Sequence, residues 1–389
     1  MSADVVVVGA GIIGAAVAWR AAQAGLTVTV LDPAPGSGAT HAAAGMLAPA
    51  AEAWFGEADA TRLGLAAVAA WDGFAIDLAA ATGSDGGLRG SGALLVAYDA
   101  DDAAQLRRIL ALHDRWELGS AELSVAEARR TEPLLGPRVS GAAWLAPDRS
   151  ADPRTTTAAL LTALEADARV SVVRRAADRL LTQAGCVVGV LDDDGGEHRA
   201  GTVVLAAGWR SAALVADLPG VPVPVRPVRG QTLRLDAALG EAPSHVVRGI
   251  VQGRPIYVVP REPGSDGRRE VVVGATSDEG PDDGRPTAGG AFALLRDARA
   301  LLPALDEAAL VEITSRARPG SPDNAPLVGP TDVPGLVLAT GHHRNGILLA
   351  PITAEAVVAH LVGAPMPDAM AAADPRRFTP LHATTRSLS

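Results

Sequence analysis

Lysine is absent: all 34 basic residues of the 389-residue chain are arginine. A P-loop lysine, a Schiff-base lysine and lysine-bound pyridoxal chemistry are therefore excluded. A single cysteine, Cys186, rules out an intrachain disulfide. Its place in an apolar strand pattern predicts a buried structural thiol. Aromatics make up only 3% of the chain, so alanine, valine and leucine must fill the core. No apolar run of membrane-spanning length stands out, and the opening lacks the basic segment of a secretory signal. The expectation is a soluble cytoplasmic protein with no membrane partner. A net charge of −10 gives no reason to expect nucleic acid. No His, Cys or acidic set has metal-ligand spacing; His342 and His343 are adjacent and point apart in a strand or loop, so no metal is expected. There is no G-x-S-x-G and no visible acid–base dyad, and no residue is assigned as a catalytic acid, base or nucleophile.

What the chain does have begins at residue 4. Val5 to Val8 read as a buried strand. Gly9-Ala10-Gly11-Ile12-Ile13-Gly14 follows at once, then helical periodicity to Ala24, a second strand over 27–31, and Asp32. This is the dinucleotide fingerprint in its required context of strand, G-x-G-x-x-G, helix, strand and acid. Gly9 allows the tight turn, Gly11 lets a pyrophosphate approach the backbone, and Gly14 lets helix and strand pack closely. The helix N-terminus offers N–H groups and a positive dipole end to the phosphates. A carboxylate at Asp32 suits a ribose 2′-OH and argues against NADP, but does not separate NAD from FAD.

Further along, residues 42–49 (AAAGMLAP) are small enough to let backbone lie close to something bulky, or simply start a helix after the loop at 33–41. Residues 60–81 read as a long helix, 92–98 as a strand and 101–116 as a helix. Ser124-Val-Ala-Glu127 is a capping box, and Asp152-Pro153 opens a helix to about 166. From 170 to 205 the pattern is sheet-like. Residues 223–235, 246–261 and 269–276 read as long strands with turns at Gly230, Gly253-Arg254-Pro255 and 264–267, a mostly antiparallel second layer. The tail after Pro365 is polar and expected to be loosely ordered.

Seven segments carry a resemblance: the fingerprint, AAAGMLAP (42–49), VVLAAG (203–208), RPVRGQ (226–231), IYVVPR (256–261), RPGSPDNAPLVGP (318–330) and GHHRNGILLAP (341–351). In this order and spacing the chain resembles the FAD-dependent glycine oxidases of thiamine biosynthesis, within the D-amino-acid oxidase and sarcosine oxidase superfamily. The resemblance implies an α/β fold, α+β overall. A Rossmann-type FAD-binding domain would be built from residues 1–85, 141–220 and 315–365. A second, mostly antiparallel β-sheet substrate domain would comprise 86–140 and 221–314, with 366–389 as a tail.

The same resemblance implies roles residue by residue. Arg318 would clamp the substrate carboxylate; a planar, permanently charged guanidinium suits that task. Arg344 would lie by the substrate, and Tyr257 would donate to the carboxylate. FAD, held noncovalently, would meet Gly9, Gly11, Ile12, Ile13 and Gly14 at its phosphates and Asp32 and Pro33 at the ribose. Ala39, Thr40, Ala44, Gly45 and Met46 would lie along it, and Ala177 would contact adenine through its backbone. The loop His342, His343, Arg344, Asn345, Gly346, Ile347 and Leu348 would approach the ring. The family usually has glutamate where this chain has Asp32. The implied activity is oxidation of glycine to its imine, then glyoxylate and ammonia, with oxygen reduced to hydrogen peroxide, in a homo-oligomer. Oxidation or dehydrogenation of sarcosine or another small D-amino acid is the alternative.

Overall fold

A computed structural model of the chain describes residues 2–90, 92–280 and 283–379. The first of its two large sheets runs Leu327–Pro330, Leu336–Thr340, Glu197–Leu205, Ala3–Val8, Val28–Leu31, Val170–Val173. It is parallel apart from Leu327–Pro330. Val8 lies opposite both Leu31 and Leu205, so three strands end level. In open α/β sheets ligands bind beyond that carboxyl edge. Helices Ile12–Gln23, Ala58–Thr82, Pro153–Ala166 and Gly346–Leu361 cover one face, burying Trp19, Trp71, Phe74, Leu160 and Ile352 in one cluster. The valine run of Ala3–Val8 follows from this: a strand covered on both faces has no solvent side to mark with polar residues.

The second sheet is ordered Asp278–Glu279, Arg226–Ala238, Arg268–Gly274, Arg254–Pro263, Val246–Val251, Ala93–Ala97, Gly141–Leu145, Ser120–Leu123, with Ala309–Gly320 also pairing with Arg226–Ala238. All its pairs are antiparallel except Val246–Val251 with Ala93–Ala97. Strand alternation sorts its residues. Leu233, Leu235, Val247, Ile256, Val258, Val271 and Val273 face the helix Ala288–Leu301, burying Leu294, Ala298 and Leu301. Their neighbours face the first sheet's domain: Val246, Tyr257, Val259 and Val272 pack with Ala44. Thr232 Oγ1 donates to the Ala42 carbonyl at 2.9 Å, so the 42–46 segment lies directly on this face.

Several expectations need correction. No turn occurs at Gly230; Arg226–Ala238 is one unbroken strand. The hairpin before Tyr257 turns at Gln252-Gly253, both with positive φ (52° and 76°), and Arg254 and Pro255 already belong to the next strand. Val170–Val173 adds to the parallel sheet, whereas Ala177–Gln183 and Cys186–Asp192 form an antiparallel flap on Glu197–Leu205. Gly141–Leu145, grouped by sequence with the first domain, pairs in the second sheet. Residues 42–49 do not start a helix. A four-residue helix, Ala39–Ala42, ends on the first of them, and Met46–Leu47 pairs with Arg149–Ser150. Cys186 is only half-buried, because it is the first strand residue after a hairpin turn. Helix Ala58–Thr82 does reach membrane-spanning length and apolarity at 25 residues. Leu63, Trp71, Phe74 and Leu78 nevertheless bury in the core, as in a helix packed within a fold. Residues 366–379 are ordered as two 3₁₀ turns that bury Met370 and Ala373; residues 380–389 lie outside the described residues.

Candidate active site

The glycine-rich turn is locked from beneath. Asp32 accepts the Ala10 amide at 2.6 Å and the Ala34 amide at 2.8 Å. Gly9 has φ +99°, and a Cβ there would sit 2.5 Å from the Ala206 carbonyl oxygen; a Cβ on Gly14 would meet the Gly9 oxygen at 1.8 Å. Gly11 is different: a Cβ would meet only Thr40 Oγ1, at 3.2 Å, so this glycine leaves open space above the helix. The N-cap Gly11 offers no side-chain cap. Ile12 N–H donates to Thr40 Oγ1 at 3.1 Å, and the amides of Ile13 and Gly14 have no acceptor among the described residues. Two free amides at a helix N-terminus beneath an open cradle fit a pyrophosphate.

The remaining residues expected around a dinucleotide spread from that turn. Ala39 and Thr40 form the short helix whose hydroxyl reaches Ile12. Pro33 directly follows Asp32. Gly45, at φ +80°, packs so tightly that a Cβ would fall 1.9 Å from the Ala151 oxygen, and its own carbonyl takes the Ala151 amide. Ala177 begins the antiparallel flap and packs partly against the cluster holding Val8 and Leu31. Ile347 and Leu348 are buried at the start of the last helix, so their side chains serve the core.

Across the cleft, sheet register builds a polar ladder. Arg248 lies opposite Tyr257, Tyr257 opposite Gly274, and Gly274 opposite Thr232. All four face the same side. The two glycines are where they are because arms must cross them. A Cβ on Gly274 would fall 2.4 Å from the Tyr257 hydroxyl, and one on Gly230 would fall 2.2 Å from Arg318 Nη2. Arg318, two residues from the end of Ala309–Gly320, therefore lies flat across Gly230. Its Nη1 donates to the Thr276 carbonyl at 3.1 Å, with the Tyr257 hydroxyl beside it. Burial pulls the Arg318 pKa below its ordinary value and pushes that of Tyr257 up. A desolvated guanidinium next to a phenol is a two-point receptor for a carboxylate.

The loop 341–346 is bolted to the same strand. His343, at φ +47°, donates its amide to the Pro319 carbonyl at 2.9 Å. His342 is buried, with Nε2 3.0 Å from Thr353 Oγ1, and burial holds its pKa down to about 3. Asn345 donates its amide to the His342 carbonyl, and Gly346 opens the helix. Arg344 is half-exposed and leans toward the carboxylate of Glu52, Nη1 to Oε2 3.7 Å.

Glu52, Arg248 and Asp148 were not singled out by sequence. Arg248 donates from Nη1 to Glu52 Oε1. Burial pushes the Glu52 carboxyl up, but Arg248 and Arg344 together outweigh it and leave its pKa low. Asp148 is fully buried and accepts the amides of Ala50 and Ala51 at 2.9 and 3.0 Å, pinning the loop that carries Glu52. Its burial raises its pKa to about 7. The available signal was a charge in the middle of an apolar strand, VVRGIV.

The architecture is that of a dinucleotide-binding protein, with Arg318 and Tyr257 buried side by side on the inner face of its second sheet. The match to known proteins narrows this: residues 4–360 fit the model of the FAD dependent oxidoreductase family, and the chain belongs to that family. FAD is the cofactor. The glycine oxidase of Geobacillus kaustophilus is 33% identical over 90% of both chains. Its crystal structure superposes with a TM-score of 0.88 at 30% identity, covering 97% of this chain and 99% of that one. A putative thiamine biosynthesis oxidoreductase ThiO of Rhizobium etli is 32% identical over 92% of this chain and 96% of its own length. The bifunctional protein ThiO/ThiG of Nostoc sp. is 34% identical over 93% of this chain. This chain spans about half the length of such bifunctional relatives, 53% in the Nostoc case.

Proposed function

We propose that this chain is an amino-acid oxidase that converts glycine, oxygen and water to glyoxylate, ammonia and hydrogen peroxide, in the supply of the thiamine thiazole ring. The observation that carries the reading is the Arg318–Tyr257 pair on the cleft face, made possible by Gly230 and Gly274. FAD, when bound, supplies the two-electron acceptor. The chain's own residues bind and orient. Arg318 and Tyr257 take the carboxylate, which fixes the position of the neighbouring Cα–H; holding a reactant in one geometry is a large part of a barrier's reduction. The 42–46 segment packs through Ala44 on Val259 and Val272, which holds that backbone against the sheet that carries Tyr257. Support for glycine rather than a larger amino acid comes from the similarity to proteins named glycine oxidase. The test is peroxide release in air with glycine, sarcosine and D-alanine. Turnover with glycine at the highest kcat/KM agrees with the reading. Peroxide from none of the three contradicts it.

A further inference from the structure

Three guanidinium groups, Arg248, Arg318 and Arg344, gather around Tyr257, yet a single amino-acid carboxylate needs only the receptor of Arg318 and Tyr257. The other two share one partner. Glu52 takes Arg248 on Oε1 and faces Arg344 at 3.7 Å on Oε2. Arg248 is the residue paired across the sheet with Tyr257, so this second cation stands one strand from the clamp. Asp148 lies behind it, but its carboxylate is committed to the Ala50 and Ala51 amides. Glu52 itself rides on the loop that Asp148 holds, with 20% of its side chain exposed.

We propose that Glu52 is a specificity-determining residue: it occupies, as a carboxylate built into the protein, the place a second acidic group of a substrate would take between Arg248 and Arg344. This rests on the reading of Arg318 as the carboxylate clamp. An amino acid with one acid group finds a cleft whose spare cations are already neutralised. A substrate with a second acid group brings a negative charge against Glu52 in a partly desolvated site, where like charges repel strongly. With Glu52 neutral, Arg344 would lose its ion-pair partner and Arg248 would keep only Asp148, which makes no ion pair with it. The two guanidinium groups would instead recruit that second group, since an underpaired buried charge is costly.

The experiment uses the FAD-loaded protein and follows the perturbation of the flavin spectrum by non-reacting ligands: acetate, with one carboxylate, against malonate, succinate and glutarate, with two at increasing separation. The wild type should bind acetate at least as tightly as any dicarboxylate. In Glu52→Gln the affinity ratio should move toward at least one dicarboxylate by about tenfold or more, the usual worth of a charge-assisted hydrogen bond. Glu52→Asp should keep the wild-type ratio. Arg248→Met, which leaves Glu52 with Arg344 alone, should discriminate against dicarboxylates more strongly than the wild type, and it serves as the decisive variant should Glu52→Gln fail to fold or to hold FAD. A wild type that already prefers a dicarboxylate overturns the proposal. So does a ratio unchanged within about twofold in the variants, since a charge effect of this kind is larger. Arg318→Lys separates the two levels: if acetate binding survives that change, the clamp reading fails; if acetate is lost there while the Glu52 and Arg248 variants leave the ratio unmoved, only the present inference fails.

Discussion

Replacing Arg318 by lysine keeps the charge and loses the fork. An ammonium cannot give two parallel N–H bonds or lie flat on Gly230, so kcat/KM for glycine should fall by roughly tenfold to a thousandfold. FAD content should stay at the wild-type level; loss of activity only through loss of FAD would make Arg318 structural. Gly230→Ala tests the same side chain from below. Its methyl would fall 2.2 Å from Nη2, so it should displace the guanidinium and raise KM for glycine by at least about tenfold in folded, yellow protein. Wild-type kinetics in that variant would count against the flat placement. At this scale the sequence is legible where a residue belongs to a recognisable run, as Arg318 does in RPGSPDN and Tyr257 in IYVVPR. It is not legible for Glu52 and Arg248. A charge in a strand ordinarily marks a solvated face, and only the folded register shows that this face is a cleft.

The element that starts the chain depends on Asp32 twice over. Its carboxylate fastens the amides of Ala10 and Ala34, so it shapes the phosphate turn whatever it does for a ribose. Asp32→Ala should weaken FAD retention, measured as the dissociation constant of the apoprotein, more than it changes turnover of the protein that remains loaded. An unchanged constant would contradict this role. The loop ahead of the last helix carries a pH signature through His342, which packs against Thr353 of that helix. Burial holds His342 neutral, with its pKa down to about 3, whereas an unfolded histidine titrates near its ordinary value of about 6.5. Below that value the unfolded chain binds a proton that the fold refuses, so stability is full above about pH 6.5 and falls as pH drops, by about 1.4 kcal/mol per pH unit until the folded pKa is reached. His342→Gln should flatten the acid limb of unfolding free energy between about pH 6 and about pH 4 relative to the wild type. Parallel limbs would show that His342 does not carry this linkage. Strand–turn–helix elements with local signals, such as the Ser124 capping box and Asp152-Pro153, are where the sequence places them. Gly230 misleads, because a glycine demanded by a neighbouring arginine looks the same in sequence as a glycine demanded by a turn.

In the whole molecule, a parallel sheet that ends level at Val8, Leu31 and Leu205 faces a second sheet whose inner surface carries Tyr257 and Arg318. Periodicity identifies both layers, since alternation and buried valine runs are local. It does not show which strands pair, because Ala93–Ala97 joins Val246–Val251 across some 150 residues of chain. The central claim is that these two surfaces make one oxidation site for glycine. Anaerobic titration of the yellow protein with glycine tests it most directly. Bleaching of the flavin absorbance by glycine, saturable and restored by admitting air with release of hydrogen peroxide, is the predicted result. A flavin spectrum that glycine leaves oxidised, at any concentration and while another amine or hydroxy acid bleaches it, would contradict the account.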